Sequence, residues 1–202
     1  MKIKLIVILC SFALITQSQT VEEAKTIFGN KKPHIGYFIN PYIQISEIAG
    51  STAVLQSIWA GLTFNNKFSL GLTYKFIVNQ YTPVGELDKQ LYLDQKYGAL
   101  KFEYSFFPTK AIHLNLPVEI GIGHTELDLK DSYESDTLST PSGDAWFAYF
   151  KPGLALEINL MKYLKFNIGA GYRITSSVSY RSLSEKDIMG FTFSTGFKIG
   201  IF

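Results

Sequence analysis

The segment Lys151–Arg173 reads KPGLALEINLMKYLKFNIGAGYR, and its larger apolar side chains on both sides of Met161-Lys162-Tyr163 fall at even-numbered positions. The odd-numbered positions carry glycine, alanine, asparagine and charged residues. A repeat of two is the pattern of a β-strand that has one apolar face and one polar face. Because only three residues separate the two alternating segments, the sequence predicts a β-hairpin.

Segments of the same kind recur along the chain, and the connections between them alternate in length. We predict eight strands, at 33–47, 52–64, 68–80, 96–106, 112–125, 145–160, 164–175 and 188–202. Three connections are tight (65–67, 107–111 and 161–163), three are long and polar (81–95, 126–144 and 176–187), and the one near 48–51 is short. Short turns at one end and long loops at the other are typical of transmembrane β-barrels. The fold class is therefore predicted as all-β, an eight-stranded antiparallel up-and-down transmembrane barrel.

The composition of the two strand faces indicates which one lies outside. A soluble barrel such as a lipocalin needs a charged outer surface, but only 18% of this chain is charged and the polar faces are mostly glycine, serine, threonine and asparagine. The apolar face is therefore predicted to contact lipid. Aromatic residues near the strand ends predict interfacial girdles, with Phe107 and Tyr163 at the turn end and Tyr97, Trp146 and Tyr180 at the loop end. By parity, the final Phe202 falls on the polar face.

The first residues differ from the rest of the chain. Lys2 and Lys4 precede an apolar run at 5–15, and small residues follow at 16–18, a pattern that predicts a signal peptide over 1–18 with Cys10 removed along with it. Residues 19–32 are predicted to be a periplasmic segment with a short helix, and 33–202 the outer-membrane barrel domain. Past residue 19 no apolar run approaches the ~20 residues of a membrane helix. The net charge of +2 argues against a nucleic-acid partner.

The mature chain resembles the small OmpA/OmpX-type outer-membrane barrels. Its lead-in TIFGNKK (26–32), together with KPGLALEIN (151–159) and GAGYR (169–173), is similar to uncharacterised outer-membrane barrels of Bacteroidota. The resemblance implies a location in the outer membrane of a Gram-negative cell, in contact with outer-membrane lipid. It implies no particular chemistry.

The lumen is predicted to hold a network of salt bridges, because an eight-stranded barrel is about wide enough to be filled by its own side chains. The tight turn after Phe106 brings Lys101 opposite Glu119, at the depth of Lys75. Glu103, Glu157 and Lys198 are expected nearer the turns, and Lys151 and Arg173 nearer the loops. The inward-facing ionisable residues are Lys75, Lys101, Glu103, Glu119, Lys151, Glu157, Arg173 and Lys198.

The functional interpretation that these features favour is a structural or surface-interaction protein without enzymatic activity or cofactor, whose loops or N-terminal segment contact a surface or periplasmic protein. A membrane-embedded lipid-modifying enzyme is the first alternative. His124 is its candidate general base, since it lies beside Thr125 and Glu126 at the outer-leaflet interface. A narrow channel for small solutes is the second. His34 and His113 are expected at the surface.

The loop Glu126–Asp144 is acidic, with six carboxylates and one lysine. Calcium uses oxygen ligands of this kind, but the EF-hand spacing is missing, so a solvated loop that projects outward is predicted and no metal.

Overall fold

The computed structural model describes residues 33–88, 91–129, 143–181 and 183–202. Their strands are β1 (Ile35–Ile48), β2 (Ser51–Phe64), β3 (Phe68–Ile77), β4 (Leu91–Phe106), β5 (Ile112–Leu129), β6 (Ala145–Met161), β7 (Leu164–Thr175), β8 (Ser179–Tyr180), β9 (Leu183–Ser184) and β10 (Gly190–Ile201). A one-turn helix, α1 (Glu185–Ile188), lies between β9 and β10. The predicted signal peptide and N-terminal helix lie outside the described residues.

Eight of these strands form one closed antiparallel barrel in the order β1-β10-β7-β6-β5-β4-β3-β2. From β1 to β7, each strand pairs with the next one in the chain. Strand β7 then pairs with β10, and β10 pairs with β1 to close the wall. The predicted eight-stranded up-and-down barrel is confirmed. Strands β8 and β9 form a separate two-stranded ribbon inside the connection between β7 and β10.

The outer wall of the barrel is apolar, as the alternation predicts. All fourteen residues of β1 alternate between exposed and buried. Large apolar side chains on the outward face keep much of their surface exposed, for example Leu72 at 67% and Phe193 at 61%. Phe202 lies on the inward side, where it packs against the cluster of Phe38, Tyr42 and Trp59.

Glycines on the inward face make room for bulky side chains. A Cβ atom added at Gly123 would lie 2.3 Å from Cζ of Phe147, and one added at Gly196 would lie 2.4 Å from Cβ of Tyr42. These distances are below any normal carbon contact, so the two aromatic side chains occupy the space that a larger residue would need.

The strands β4 and β5 are longer at the loop end than predicted. Their ladder runs from Leu91 opposite Leu129 to Phe106 opposite Leu114, whereas the sequence pattern placed their loop-end limits at 96 and 125. In the added part of the ladder the apolar side chains point inward instead of outward, and Leu93, for example, is buried in the lumen. The even-numbered apolar pattern therefore ends before the strands do. The opposite error occurs at β3, which ends at 77 rather than 80, and at β10, which begins at 190 rather than 188.

The connection between β7 and β10 closes the loop end of the lumen. We call its described residues, 176–181 and 183–189, the loop plug. The sequence predicts a polar loop here, but four of its apolar side chains are buried among inward side chains of the strands. They are Val178, Tyr180, Leu183 and Ile188. Tyr97 and Tyr180 are expected in the outer girdle, but Tyr97 occupies an inward position of β4 and Tyr180 belongs to the plug, so both lie inside. Trp146 (64% exposed) and Tyr163 (52%) are on the outer surface.

Candidate functional site

The centre of the lumen holds a cluster of three lysines around one carboxylate, which we call the upper charge cluster. Glu119 on β5 lies between Lys101 on β4 and Lys151 on β6 in the strand register. Its Oε1 atom is 3.5 Å from Nζ of Lys101 and 3.1 Å from Nζ of Lys151, and its Oε2 atom accepts a hydrogen bond from Lys75. Glu119 is 1% exposed. The sequence places Lys151 nearer the loops, but the register between β5 and β6 puts it directly opposite Glu119.

A second cluster, the lower charge cluster, lies nearer the turns. Lys198 is 2.6 Å from both Glu103 Oε1 and Glu157 Oε2, which joins the two carboxylates. Glu157 also contacts Lys165 at 3.1 Å and His113 Nε2 at 3.0 Å. The carboxylates and lysines are therefore balanced here, in contrast to the upper charge cluster.

Sequence reasoning missed Lys165 and placed His113 wrongly at the surface. His113 is 4% exposed and Lys165 is 7% exposed. Both occupy odd-numbered positions on their strands, the same parity as Glu157. Applying the parity rule to every ionisable residue up to the turns would have placed both of them in the lumen. His34, in contrast, is exposed as expected.

Aromatic rings lie between the two clusters. The Nζ atoms of Lys101 and Lys198 lie 4.4 Å and 4.9 Å from the ring centroid of Trp59, and Trp59 is completely buried. Phe38 contacts the same ring edge-on at 4.5 Å. Cation–π contacts of this kind stabilise ammonium groups that have left water.

Arg173 connects the barrel to the loop plug. Its Nε donates to the carbonyl of Ile188 at 2.8 Å, its Nη2 donates to Ser46 Oγ at 3.2 Å, and its guanidinium carbon lies 5.4 Å from the Tyr97 ring centroid. The sequence places Arg173 in a salt-bridge network. The contacts found instead are a backbone carbonyl, a hydroxyl and a ring, so the guanidinium holds the plug.

The candidate base His124 lies at the loop-end rim of the outer wall. Its Nε2 atom is 2.8 Å from Asp144 Oδ2, and Trp146 Nε1 donates to the same oxygen at 3.1 Å. The sequence neighbours that suggested this role are placed elsewhere: Thr125 is buried inside the lumen, and Glu126 contacts Lys96 at 3.4 Å. The structure therefore gives the histidine a carboxylate partner, but from a residue that sequence proximity does not identify.

Within the described ranges, no group of three or more histidine, cysteine or acidic side chains is arranged to hold a metal ion. In the same ranges, no helix is long and apolar enough to cross a membrane. Residues 130–142 of the acidic loop lie outside the described part, so the predicted solvated loop stays a prediction.

The geometry defines a class of protein: an eight-stranded antiparallel barrel with an apolar outer wall and charges inside. No family model and no curated protein matches the chain. Solved structures do. Neisserial surface protein A matches with a TM-score of 0.57 and 11% identity over 84% of this chain and 99% of that one. The N-terminal barrel domain of Pseudomonas aeruginosa OprF matches at 0.52 and 13% identity, over 84% and 100%.

A major outer membrane protein of Thermus thermophilus matches with a TM-score of 0.54 at 7% identity, over 83% of this chain and 100% of that one. At such identities the likeness concerns the fold. The chain therefore has the fold of small outer-membrane β-barrels, and the matches cover 83–84% of it. The finer similarity to barrels of Bacteroidota stays a prediction.

Proposed function

We propose that the protein spans the outer membrane with its lumen closed and acts as a structural or surface-interaction protein through its loop end. The observation that carries this proposal is the distribution of polarity: the outward face of the wall is apolar and exposed, and the charges face one another inside. Soluble monomers rarely expose a continuous apolar patch above a few hundred Å². A band of this kind is stable in lipid, where each outward side chain is solvated by hydrocarbon.

The closed lumen supports an anchoring role and argues against a channel function. At the loop end the plug packs an apolar core across the opening, and a salt bridge between Arg181 and Glu86 at 3.1 Å joins the plug to the first long loop. Below that core, the two charge clusters and the cluster of Phe38, Tyr42 and Trp59 occupy the lumen. Solute movement would require these buried groups to separate.

The loop end also presents side chains suited to a contact. Val84 and Leu87 in the first long loop are 70% and 94% exposed. Such residues contribute nothing to the barrel core, and apolar side chains on an exposed loop are suited to an apolar patch on another protein. We therefore propose a protein partner at this end.

Cell fractionation tests the location. We expect the full-length protein in the outer-membrane fraction, with a gel mobility that changes on boiling, as closed barrels resist detergent until heated. Recovery from the soluble periplasm would contradict the proposal. If discrete conductance steps appeared in a planar bilayer, the lumen would be open and the channel alternative would replace the anchoring role.

The contact between His124 and Asp144 favours a second candidate, a lipid-modifying enzyme. A carboxylate that accepts a hydrogen bond from an imidazole orients it for general-base catalysis. The test is mass spectrometry of membrane lipids from cells that express the native protein or His124→Ala. A lipid change that requires His124 would support this candidate, and identical lipid profiles in native-expressing and non-expressing cells would exclude it.

A further inference from the structure

The two charge clusters of the lumen differ in their charge balance. In the lower charge cluster, Lys165 and Lys198 face the carboxylates of Glu103 and Glu157. In the upper charge cluster, three ammonium groups share the single carboxylate of Glu119. Two positive charges are thus left without a counter-charge, and both belong to the upper charge cluster.

Burial makes this excess costly. Lys75 is 2% exposed, and Lys101 and Lys151 are each 8% exposed. A buried charge that lacks a partner costs several kcal/mol, and like charges close together in the interior add to that cost. The contacts of these lysines with Tyr149, Tyr42 and Gln44 offset part of the cost but carry no negative charge.

A small cavity of about 30 Å³ lies against two of the three lysines. Lys101 and Lys151 line it, together with glycines of β6 and β7 such as Gly153 and Gly171, which lack side chains that would fill the space. The volume exceeds the ~10–15 Å³ that one water-sized occupant requires. Glu103 and Glu119 also line the cavity, so its walls carry two lysines and two carboxylates. Lys198 and Lys75 contact these carboxylates from outside the lining, so the surroundings of the cavity keep a positive excess.

Several hydrogen-bond donors line the cavity. They are the ammonium groups of Lys101 and Lys151 and the hydroxyl of Ser194. The hydroxyls of Tyr42 and Thr192 also line it, but they contact Thr73 and the Gly171 carbonyl. Lys151 Nζ donates to Gln44 Oε1 at 2.8 Å, while Nε2 of the same buried carboxamide has no acceptor among the described residues. Ammonium and hydroxyl donors beside one small space are groups that coordinate an anion.

We infer that the cavity beside Lys101 and Lys151 binds a single small inorganic anion of the halide class, which supplies the counter-charge that Glu119 alone cannot. The volume selects a monoatomic anion over a carboxylate or a sulfate. The site belongs to the lumen and does not depend on the membrane location, on a partner or on the rim histidine. An anion bound in this cavity is therefore part of the folded structure.

The test uses the full mature protein refolded in detergent micelles, unfolded by heat in sodium chloride or in sodium gluconate at equal ionic strength. Because an ion that binds only the folded state stabilises it, the midpoint should rise by roughly 3 °C for each tenfold increase in chloride above the dissociation constant. Gluconate, too large for the cavity, should give no such rise. Equal midpoints in the two salts at every concentration would overturn the inference.

The variant Lys151→Met removes one excess charge and one side of the site. It should fold, lose the difference between chloride and gluconate, and be more stable than the native protein in gluconate. The control Lys162→Met, in an exposed turn, should keep the native response to chloride. A native protein that is insensitive to chloride but loses stability as the pH falls would show that a neutral lysine relieves the excess, and that result too would overturn the inference. Crystals grown in bromide should show anomalous density between Lys101 and Lys151.

Discussion

Lys101 lies directly opposite Glu119 in the ladder between β4 and β5, and their Nζ and Oε1 atoms are 3.5 Å apart. Because two further lysines contact the same carboxylate, we expect Glu119→Gln to leave three buried cations without a counter-charge. Removing one partner of a buried pair costs about 3–5 kcal/mol, so the free energy of unfolding in urea should fall by at least that amount. The matched control is Glu126→Gln on the same strand, whose carboxylate contacts Lys96 in an exposed pair and should cost less than about 1 kcal/mol. Equal losses for the two variants would contradict the central role of Glu119.

The contact between Gly123 and the Phe147 ring predicts an overpacking effect. A methyl group at position 123 would displace a ring that is buried and packed edge-on against Tyr97 at 5.7 Å. We expect Gly123→Ala to lower the free energy of unfolding by about 1–3 kcal/mol. The second change Phe147→Leu should restore part of that loss, because it gives back the space.

Gly98 provides the control for the Gly123→Ala variant. It lies on the neighbouring strand, and a Cβ atom there would meet no other atom within 4 Å. Gly98→Ala should therefore change stability by less than about 1 kcal/mol, in either direction. A loss at Gly98 as large as at Gly123 would show that the loss reflects glycine content in general and not the Phe147 contact.

The hydrogen bonds of Arg173 predict that the loop plug can be released without unfolding the barrel. A hydrogen bond from a charged donor contributes about 1.5–3 kcal/mol, and about 1.4 kcal/mol corresponds to a tenfold change in population. In Arg173→Met, trypsin should cut after Lys186 about tenfold faster or more, while the barrel keeps its heat-dependent gel mobility. Lys165→Met, near the opposite end of the lumen, should leave the rate of this cut at the native value. An unchanged rate in Arg173→Met would mean that apolar packing alone holds the plug.

The exposed loop residue Leu87 allows the topology to be measured. The mature chain is expected to lack cysteine, since Cys10 falls in the predicted signal peptide. In intact cells, a maleimide that cannot cross membranes should label Leu87→Cys and should label Lys162→Cys only after the outer membrane is permeabilised. Labelling of Lys162→Cys alone would show that the turns face outward, and the proposed surface would then be the periplasmic end.

The alternation of apolar side chains was sufficient to predict the barrel, its closure and its outward face, because a period of two fixes which side every strand residue takes. The register of Lys101 with Glu119 follows from one tight turn in the same way. Depth was harder to predict. Lys151 lies directly opposite Glu119, but the connection between β5 and β6 is long, and a long connection does not fix the register of the two strands that it joins.

The loop plug and the partner of His124 could not be predicted for a different reason. Val178, Leu183 and Ile188 lie five residues apart, which is neither the period of a strand nor that of a helix, so only the closed barrel shows that they meet in one place. Asp144, which directly precedes β6, contacts His124 on the neighbouring strand β5, and twenty residues of sequence separate the two. Contacts of this kind depend on the three-dimensional course of the chain, which no local pattern records.

The reversal of polarity along β5 has a consequence for how this strand tolerates mutation. Below His124 the outward positions are apolar, such as Ile122, whereas above it Glu126 points out and Leu127 is buried inside. If each outward position of β5 were replaced in turn by aspartate, the sites below His124 would be harmful and those at and above Glu126 would be tolerated. The position of that change would mark the height of the proposed lipid surface on the protein, so a library of variants grown under selection would locate the membrane boundary without any structure.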